Sequence, residues 1–312
     1  MKTLADAGEP AVRAALAGQG LWLDVGSVLI HLRSDVPLLA QSVHDVYRHF
    51  PWQTQGCWAD LHVVVRQHRR WFKPWRPQVE FVCDGTQPFE PFPADTPLPM
   101  FEWGANWLIG LRMHHRLLLH AGVLARDDRA LVMPAVPGAG KSTLTAALAH
   151  AGWRLLSDEF GALDVDTGGF WPLIKPPVLK NRSIEVLRGF APQAVLGRVY
   201  PATRKGDVAH VAPPADAVAG RHRPARPFAI VLPHWQEGAE ARLEPVAAGL
   251  ACSALAFNAF NYRICGLPGF EAVARLAREV PAWQLTYGRL PEAIALLDAL
   301  HARAGEPDGA VR

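Results

Sequence analysis

The sequence predicts an α/β fold in which a smaller α+β domain precedes a larger α/β domain. The chain has 312 residues, of which 50% are hydrophobic and 20% charged, enough for one large domain or two modest ones with real cores. A proline-dense stretch at 88–99 interrupts the alternation of strand-like and helix-like segments. Beyond it, residues 130–157 follow the order strand, loop, helix, strand, which is typical of a sheet covered by helices.

Composition and charge exclude several classes of protein. Lys+Arg 32 against Asp+Glu 29 gives a formal net charge of +3, too small for a dedicated nucleic-acid-binding protein. The cysteines form no C-x-x-C pair, so neither a zinc site nor a disulfide framework is indicated. No segment has the pattern of a signal peptide or a membrane span. We therefore expect a cytoplasmic protein that binds neither nucleic acid nor a membrane.

Residues 1–98 are expected to form an accessory α+β domain. β-Branched content and alternation predict strands, and apolar residues at helical spacing predict a helix. Proline removes a backbone donor and fixes φ, so neither a sheet nor a helix should continue through the five prolines of 88–99. The predicted strands cover 28–32, 61–65 and 78–83, and the predicted helix covers 36–50.

Residues 99–304 are expected to form the larger domain, followed by a flexible tail at 305–312. Asp127 and Asp128 suit a tight hairpin turn between its first two strands. The predicted strands are 117–125, 130–135, 153–157, 162–165, 228–232 and 284–286, and the predicted helices are 106–116, 142–151, 183–188, 245–257, 270–278 and 291–301.

Residues 135–142 match the phosphate-binding loop pattern G-x-x-x-x-G-K-[ST], except that Ala135 replaces the first glycine. The backbone N–H groups of such a loop cradle phosphates, and the following helix presents its positive end to them. Its lysine reaches the β- and γ-phosphates, and its hydroxyl ligates Mg²⁺. A glycine-rich turn that happens to precede Lys-Ser is the alternative. The predicted nucleotide-binding residues are Pro137, Gly138, Ala139, Gly140, Lys141, Ser142 and Thr143.

An acidic pair, Asp158 and Glu159, follows the predicted strand 153–157. Carboxylates at the end of a strand beside a phosphate loop are how nucleotide sites hold their metal. One of the two can hold Mg²⁺, directly or through water, and the other can take a proton from an attacking hydroxyl. An ordinary acidic turn after a strand is the alternative.

His120 stands before the predicted hairpin, and alone it would be interpreted as a structural histidine. Together, His120-Ala121-Gly122-Val123-Leu124, the loop 138–142 and the acidic pair 158–159 resemble HPr kinase/phosphorylase. The segments 175–181, 203–206 and 258–262 look like the branch called HPr kinase-related protein A. This likeness covers most of residues 100–300. It departs from the family at Ala135, and at Glu159, where the family has a second Asp.

The resemblance implies a phosphate-loop catalytic domain related to bacterial phosphoenolpyruvate carboxykinase. It also implies an enzyme that uses ATP and Mg²⁺ to phosphorylate a serine hydroxyl on a small protein. By this likeness, Lys141 binds phosphates, Asp158 is the general base, and His120 lies near the transferred group. Ser142 and Glu159 hold Mg²⁺, with Asp158 as a further metal ligand. Members of the branch are thought to work beside small PqqD-like proteins, and a homo-oligomer is possible.

Four loop cations lie in the same part of the chain: Lys175, Lys180, Arg204 and Lys205. Cations near a phosphoryl group in transfer stabilise its negative charge, and solvated surface charge is the alternative.

The function that the sequence predicts is an ATP- and Mg²⁺-dependent serine kinase acting on a small protein or peptide. Two rival interpretations are an ATP-hydrolysing nucleotide switch and a non-catalytic nucleotide-binding subunit. A small-molecule kinase or carboxykinase-like enzyme would share the fold.

Overall fold

The computed structural model describes residues 1–56, 58–68, 76–136 and 138–304. Pro137 and the expected tail at 305–312 lie outside these residues. Helices and strands alternate along the described chain, and several sheets form, which confirms the α/β class. None of the described helices is long and apolar enough to cross a bilayer.

The described residues form ten helices: α1 (Leu4–Ala7), α2 (Glu9–Ala17), α3 (Pro37–Val46), α4 (Pro97–Arg112), α5 (Lys141–His150), α6 (Arg182–Phe190), α7 (Ala215–Ala219), α8 (Ala248–Phe257), α9 (Tyr262–Glu279) and α10 (Leu290–Arg303). They also form seventeen strands: β1 (Leu21–Asp24), β2 (Leu29–Ser34), β3 (Leu61–His68), β4 (Gln78–Cys83), β5 (Phe92–Pro93), β6 (Leu117–Leu119), β7 (Ala121–Arg126), β8 (Arg129–Pro134), β9 (Arg154–Ser157), β10 (Gly161–Leu163), β11 (Phe170–Trp171), β12 (Val178–Lys180), β13 (Tyr200–Thr203), β14 (Gly206–His210), β15 (Arg226–Trp235), β16 (Arg242–Val246) and β17 (Ala282–Tyr287).

The largest sheet has six strands in the order β16-β17-β15-β8-β7-β9. β15 pairs in parallel with both β8 and β17, and β7 pairs antiparallel with both β8 and β9. Strands β9, β8, β15 and β17 therefore run in one direction and end at one edge of the sheet. β7 runs the other way and begins at that edge. In open α/β sheets, ligands bind outside the carboxyl ends of the strands, so this edge is the place to look for a site.

Side chains alternate between the two faces of this sheet, and each face has its own core. Leu131 belongs to a cluster that includes Leu144 of α5 and Leu297 of α10. The neighbouring Val132 belongs to a second cluster that includes Leu255 of α8 and Val273 of α9. Helices thus cover both faces, and the apolar strand predicted at 130–135 lies between them.

The N-terminal part contains a five-stranded sheet in the order β1-β2-β3-β4-β5, with α2, α3 and α4 packed nearby. Its strands at 28–32, 61–65 and 78–83 were predicted within a few residues, whereas β1 was not predicted. Backbone hydrogen bonds connect the N-terminal part to the rest of the chain. Ile174 N donates to Val25 O at 2.8 Å, and Ser27 N donates to Pro172 O at 2.9 Å.

The expectation that neither a sheet nor a helix continues through the proline-dense stretch is wrong. α4 begins at Pro97, in the first turn, where a missing N–H breaks no helical hydrogen bond. The helix predicted at 106–116 therefore starts nine residues earlier, since α4 begins at Pro97. The boundary at 98/99 stays a prediction, and it falls inside the first turn of α4.

The strand predicted at 117–125 is two strands that belong to different sheets. β6 pairs with β10, whereas β7 pairs with β8 and β9. Between them, His120 N donates to Asn258 O at 2.7 Å instead of joining a ladder. The chain changes sheets at His120, which lies at the carboxyl edge of the large sheet. The predicted hairpin turn is confirmed, with φ of 51° at Asp127 and 56° at Asp128.

Candidate functional site

The predicted phosphate loop connects β8 to α5 at the carboxyl edge of the large sheet. Gly138 and Gly140 both have φ of 90°, a conformation that glycine adopts without strain. Ala139 N donates to Val136 O at 3.3 Å, which closes a turn within the loop. α5 begins at Lys141, so its first N–H groups face the loop. This strand–loop–helix geometry is the one that binds phosphates in phosphate-loop proteins.

Gly140 is held from its far side by two aromatic residues. Tyr287 Oη donates to Gly140 O at 3.2 Å. A Cβ on Gly140 would lie 2.5 Å from that hydroxyl and 2.9 Å from Trp235 Cβ, so only glycine fits. Burial raises the pKa of Tyr287, which therefore stays a neutral donor. The ends of β15 and β17 thus fix the shape of the loop.

Lys141 and Asp158 form a buried ion pair, with Nζ 3.1 Å from Oδ1. Both residues are buried, with exposures of 7% and 6%. Lys141 Nζ also donates to the backbone carbonyl of Asp158. The first residue of α5 is in this way tied to the residue that follows β9, across β7. The structure brings the predicted phosphate ligand and the predicted base into direct contact.

The acidic pair lies where the chain turns after β9. Phe160 N donates to Ser157 Oγ at 3.0 Å, which closes this turn. Asp158 is buried and Glu159 is half-buried. Both acids line the same cleft. An alternating strand would separate them, and the turn brings them together.

His120 is part of the same cluster. Burial, and next the charge of Lys141, lower the pKa of His120, while Glu159 and Asp158 act in the opposite direction. The backbone N of His120 donates to Asn258 O at 2.7 Å. A neutral imidazole therefore lies beside Lys141 and the two acids. The sequence places Asn258 in the segment 258–262 without indicating a role for it.

Two of the four predicted loop cations, Lys180 and Lys205, are near enough for the charge of one to act on the other. Burial, and next the charge of Lys205, lower the pKa of Lys180, while Glu159 and Asp158 raise it. Lys180, on β12, is therefore near the acidic pair and has Lys205 beside it. Arg204 is exposed. Lys205 lies in the turn between β13 and β14, in the same small sheet as β12, and both lysines are exposed.

Lys175 is not a loop cation open to solvent. Its Nζ lies 2.9 Å from Glu102 Oε2 and donates to Asn106 Oδ1 at 2.6 Å. Tyr47 Oη donates to Glu102 Oε1 at 2.6 Å. Lys175, Glu102 and Asn106 line a cleft together with Asp158 and Glu159. We call Tyr47, Glu102 and Lys175 the buried ionic network.

Sequence reasoning missed two residues of this network: Tyr47, which follows the end of α3, and Glu102 of α4. Glu102 sits on a helix whose remaining buried residues are mostly apolar, and a buried acid in such a position signals a partner. That signal was present in the sequence. Its partner, 73 residues further along the chain, could not be identified without the fold.

The residues of the site fit a magnesium ion that is bound together with a nucleotide. Ser142 lies in the first turn of α5, and Asp158 and Glu159 supply carboxylates, so the available ligands are hard oxygens. Among the residues that the structure describes, no group of three His, Cys, Asp or Glu could hold a metal alone. Magnesium is usually held by one or two carboxylates plus substrate phosphates, and this set has that form.

No family model matches the chain, and a search of the curated proteins finds no match. The likeness noted in the sequence therefore depends on the residues around His120, the loop and the acidic pair.

Proposed function

We propose that the protein is a kinase that transfers the γ-phosphoryl group of ATP, with Mg²⁺, to a serine hydroxyl of a small protein or peptide. The observation that carries this proposal is the buried contact between Lys141 and Asp158, with His120 and Glu159 beside it. A phosphate ligand, a candidate base and a candidate metal ligand meet at the end of one phosphate loop. Phosphoryl transfer needs these parts and little else from the protein.

Each residue has a role that its position supports. Lys141 binds the β- and γ-phosphates, and residues 138–143 surround them with backbone N–H groups. Asp158 accepts the proton of the attacking hydroxyl, and Glu159 with Ser142 holds the metal. Bound Mg²⁺ would neutralise charge on the phosphate oxygens. Neutral His120 can donate a hydrogen bond to the transferred group, and Lys180 adds positive charge nearby.

The ion pair also implies an order of events. Asp158 and a bound phosphate would compete for the Lys141 ammonium, because Nζ donates to Asp158 Oδ1 at 3.1 Å. Phosphates that draw Lys141 away leave the Asp158 carboxylate free to accept a proton. The base is therefore released by the binding of the substrate that it serves, which limits proton transfer before the nucleotide is in place.

An apolar surface beside the site supports a protein or peptide acceptor. Six large hydrophobic side chains on and between α8 and α9 are exposed, with Phe257 at 81%. Exposed apolar patches of this kind mark sites of protein interaction. The surface reaches the site through Phe260, whose ring centroid lies 5.2 Å from that of Phe160, the residue after the acidic pair. The apolar surface consists of Leu250, Phe257, Phe260, Ile264, Leu267 and Phe270.

The test is transfer from γ-labelled ATP to the products of neighbouring reading frames, including any PqqD-like protein, with the purified chain. We expect acid-stable label on one small protein, as a serine phosphate gives, and loss of that label with Asp158→Asn. Asp166→Asn, in an exposed turn, is the matched control and should leave labelling unchanged.

Other outcomes favour the rival functions. Label released only as free phosphate would favour the ATP-hydrolysing switch. Nucleotide binding without turnover in the unmodified protein, and unchanged in Asp158→Asn, would favour the non-catalytic subunit.

A further inference from the structure

The site has two ends, which the strand order defines. Along the carboxyl edge, β9 with Asp158 lies on one side of β8, two strands away, and β15 lies directly on the other side. Lys141, at the start of α5, contacts Asp158 on the β9 side. A triphosphate that reaches the acidic pair with its terminal group extends across the loop in the opposite direction. Its nucleoside then lies at the end of β15.

The last residue of β15 is Trp235, which is 40% exposed. Its backbone N donates to Ala139 O at 3.1 Å, so the residue is attached to the phosphate loop. Its Nε1 donates to Gly288 O at 3.2 Å, which orients the ring. The N–H of a buried or half-buried tryptophan usually finds a hydrogen-bond partner, and here that partner is a backbone carbonyl. The N–H is therefore satisfied without a ligand.

Two of the contacts that Trp235 makes with the loop do not use its ring. The bond to Ala139 uses backbone, and the contact that restricts Gly140 uses Cβ, which every residue except glycine has. Alanine at 235 would keep both. A large, oriented and partly exposed aromatic ring beside a phosphate loop is what base stacking requires.

We propose that Trp235 is the stacking platform for the nucleobase of the bound nucleotide. The inference rests on the proposed function, since it takes the loop to bind the phosphates of ATP. It assigns the end of β15 to the base, as the acidic pair is assigned to the transferred phosphoryl group. Stacking uses the π face that every base has, so Trp235 supplies affinity for a base without reading its edge.

The test separates the base from the phosphates. Affinities for Mg-ATP and for inorganic tripolyphosphate are measured by titration calorimetry on the full chain and on Trp235→Ala, Trp235→Phe and Trp58→Ala. Trp58 is also exposed and lies just before β3 in the N-terminal part, so its variant controls for loss of a surface indole. We expect Trp235→Ala to weaken Mg-ATP about fivefold or more. Tripolyphosphate binding should not change, and Trp235→Phe should keep most of the ATP affinity.

Two results would overturn the inference. Unchanged ATP affinity in Trp235→Ala would show that the ring does not contact the base. Equal weakening of ATP and tripolyphosphate would show that the residue acts on the loop alone. If the unmodified chain binds neither ligand, the proposed function itself fails. That outcome differs from failure of the inference alone, in which the unmodified chain binds ATP and Trp235→Ala binds it equally well.

Discussion

Lys141 and Asp158 neutralise each other inside the protein, with Nζ 3.1 Å from Oδ1 and both side chains less than a tenth exposed. A buried pair of this kind contributes little net stability when intact, because desolvation offsets the attraction. Removing one partner leaves an uncompensated charge. The pair therefore couples the stability of the free protein to the two residues assigned to its chemistry.

A double-mutant cycle on this pair should show that coupling. We expect Lys141→Met to lower the free energy of unfolding by about 3–5 kcal/mol. Asp158→Asn should lower it by less, since the amide can still accept a hydrogen bond. The double variant should lose less free energy of unfolding than the sum of the two single losses. Urea unfolding of the four proteins measures this. Additive losses would contradict a direct interaction.

The glycines of the phosphate loop should differ in their tolerance of a methyl group. Both have φ of 90°, but a Cβ at Gly138 meets nothing within 4 Å, whereas one at Gly140 meets Tyr287 and Trp235. Gly138→Ala should cost about 1–2 kcal/mol of backbone strain alone. Gly140→Ala should cost more and weaken tripolyphosphate binding. Adding Tyr287→Phe removes the closer contact, so the double variant should be less destabilised than the sum of its two changes. Equal losses for the two glycines would contradict this account.

The buried ionic network should respond in the same way as other buried pairs. Glu102→Gln leaves the Lys175 ammonium without a countercharge, and we expect a loss of about 3–5 kcal/mol in urea unfolding. Lys175→Met combined with Glu102→Gln should recover part of it. Arg182→Ala is a useful control, because its partner Glu237 and Arg182 itself are about 70% exposed, 69% and 71%, and such a pair contributes little. A Glu102→Gln protein as stable as the control variant would contradict the network.

Stability should fall in mild acid because of His210. Burial lowers the pKa of this fully enclosed imidazole to about 4 from 6.5, with Glu102 raising it and Lys175 lowering it further. Between these two values the unfolded chain binds a proton that the folded chain does not, so stability is retained above pH 6.5 and lost as pH falls toward 4. The slope from this one group is about 1.4 kcal/mol per pH unit.

The measurement is the free energy of unfolding from pH 7 to pH 4 for the unmodified chain and for His210→Gln. The difference between the two curves isolates His210 from the other histidines. We expect the variant to have the shallower slope. Parallel curves would show that His210 titrates normally in the fold.

The apolar surface should matter for the acceptor and not for the nucleotide. Phe257→Ser and Leu267→Ser change side chains that are 81% and 66% exposed, so the free energy of unfolding should change by less than about 0.5 kcal/mol. We expect KM for the acceptor protein to rise several-fold, while the affinity for Mg-ATP stays unchanged. Val186→Ser, on exposed α6, is a matched control outside the surface. Unchanged KM in both surface variants would exclude this face from acceptor binding.

Local signals in the sequence predicted the elements that flank the loop at 135–142. The helix predicted at 142–151 forms at 141–150, and the strand predicted at 153–157 forms at 154–157, because apolar periodicity and a glycine-rich loop are local properties. The hairpin turn at Asp127 and Asp128 was predicted for the same reason. The proximity of Lys141 to Asp158 was expected from the motif and is observed.

Non-local pairing explains what the sequence did not reveal. The break of the strand at His120 depends on Asn258, which is 138 positions away in numbering, and no periodicity records such a bond. Lys175 has the same local sequence whether it is solvated or paired with Glu102. The prolines at 97 and 99 were interpreted as breakers, but their position at the start of α4 is the one place in a helix that accepts them.

α4 has a practical consequence for anyone who wishes to study the two halves apart. Its Phe101 and Leu108 are completely enclosed, and its Glu102 is held by Tyr47 from the preceding half and Lys175 from the following one. A cut at residue 98 would expose apolar surface on both fragments and separate Glu102 from the Tyr47 hydroxyl that donates to it. Each fragment made alone should therefore aggregate, whereas co-expressed fragments should reassemble around this helix.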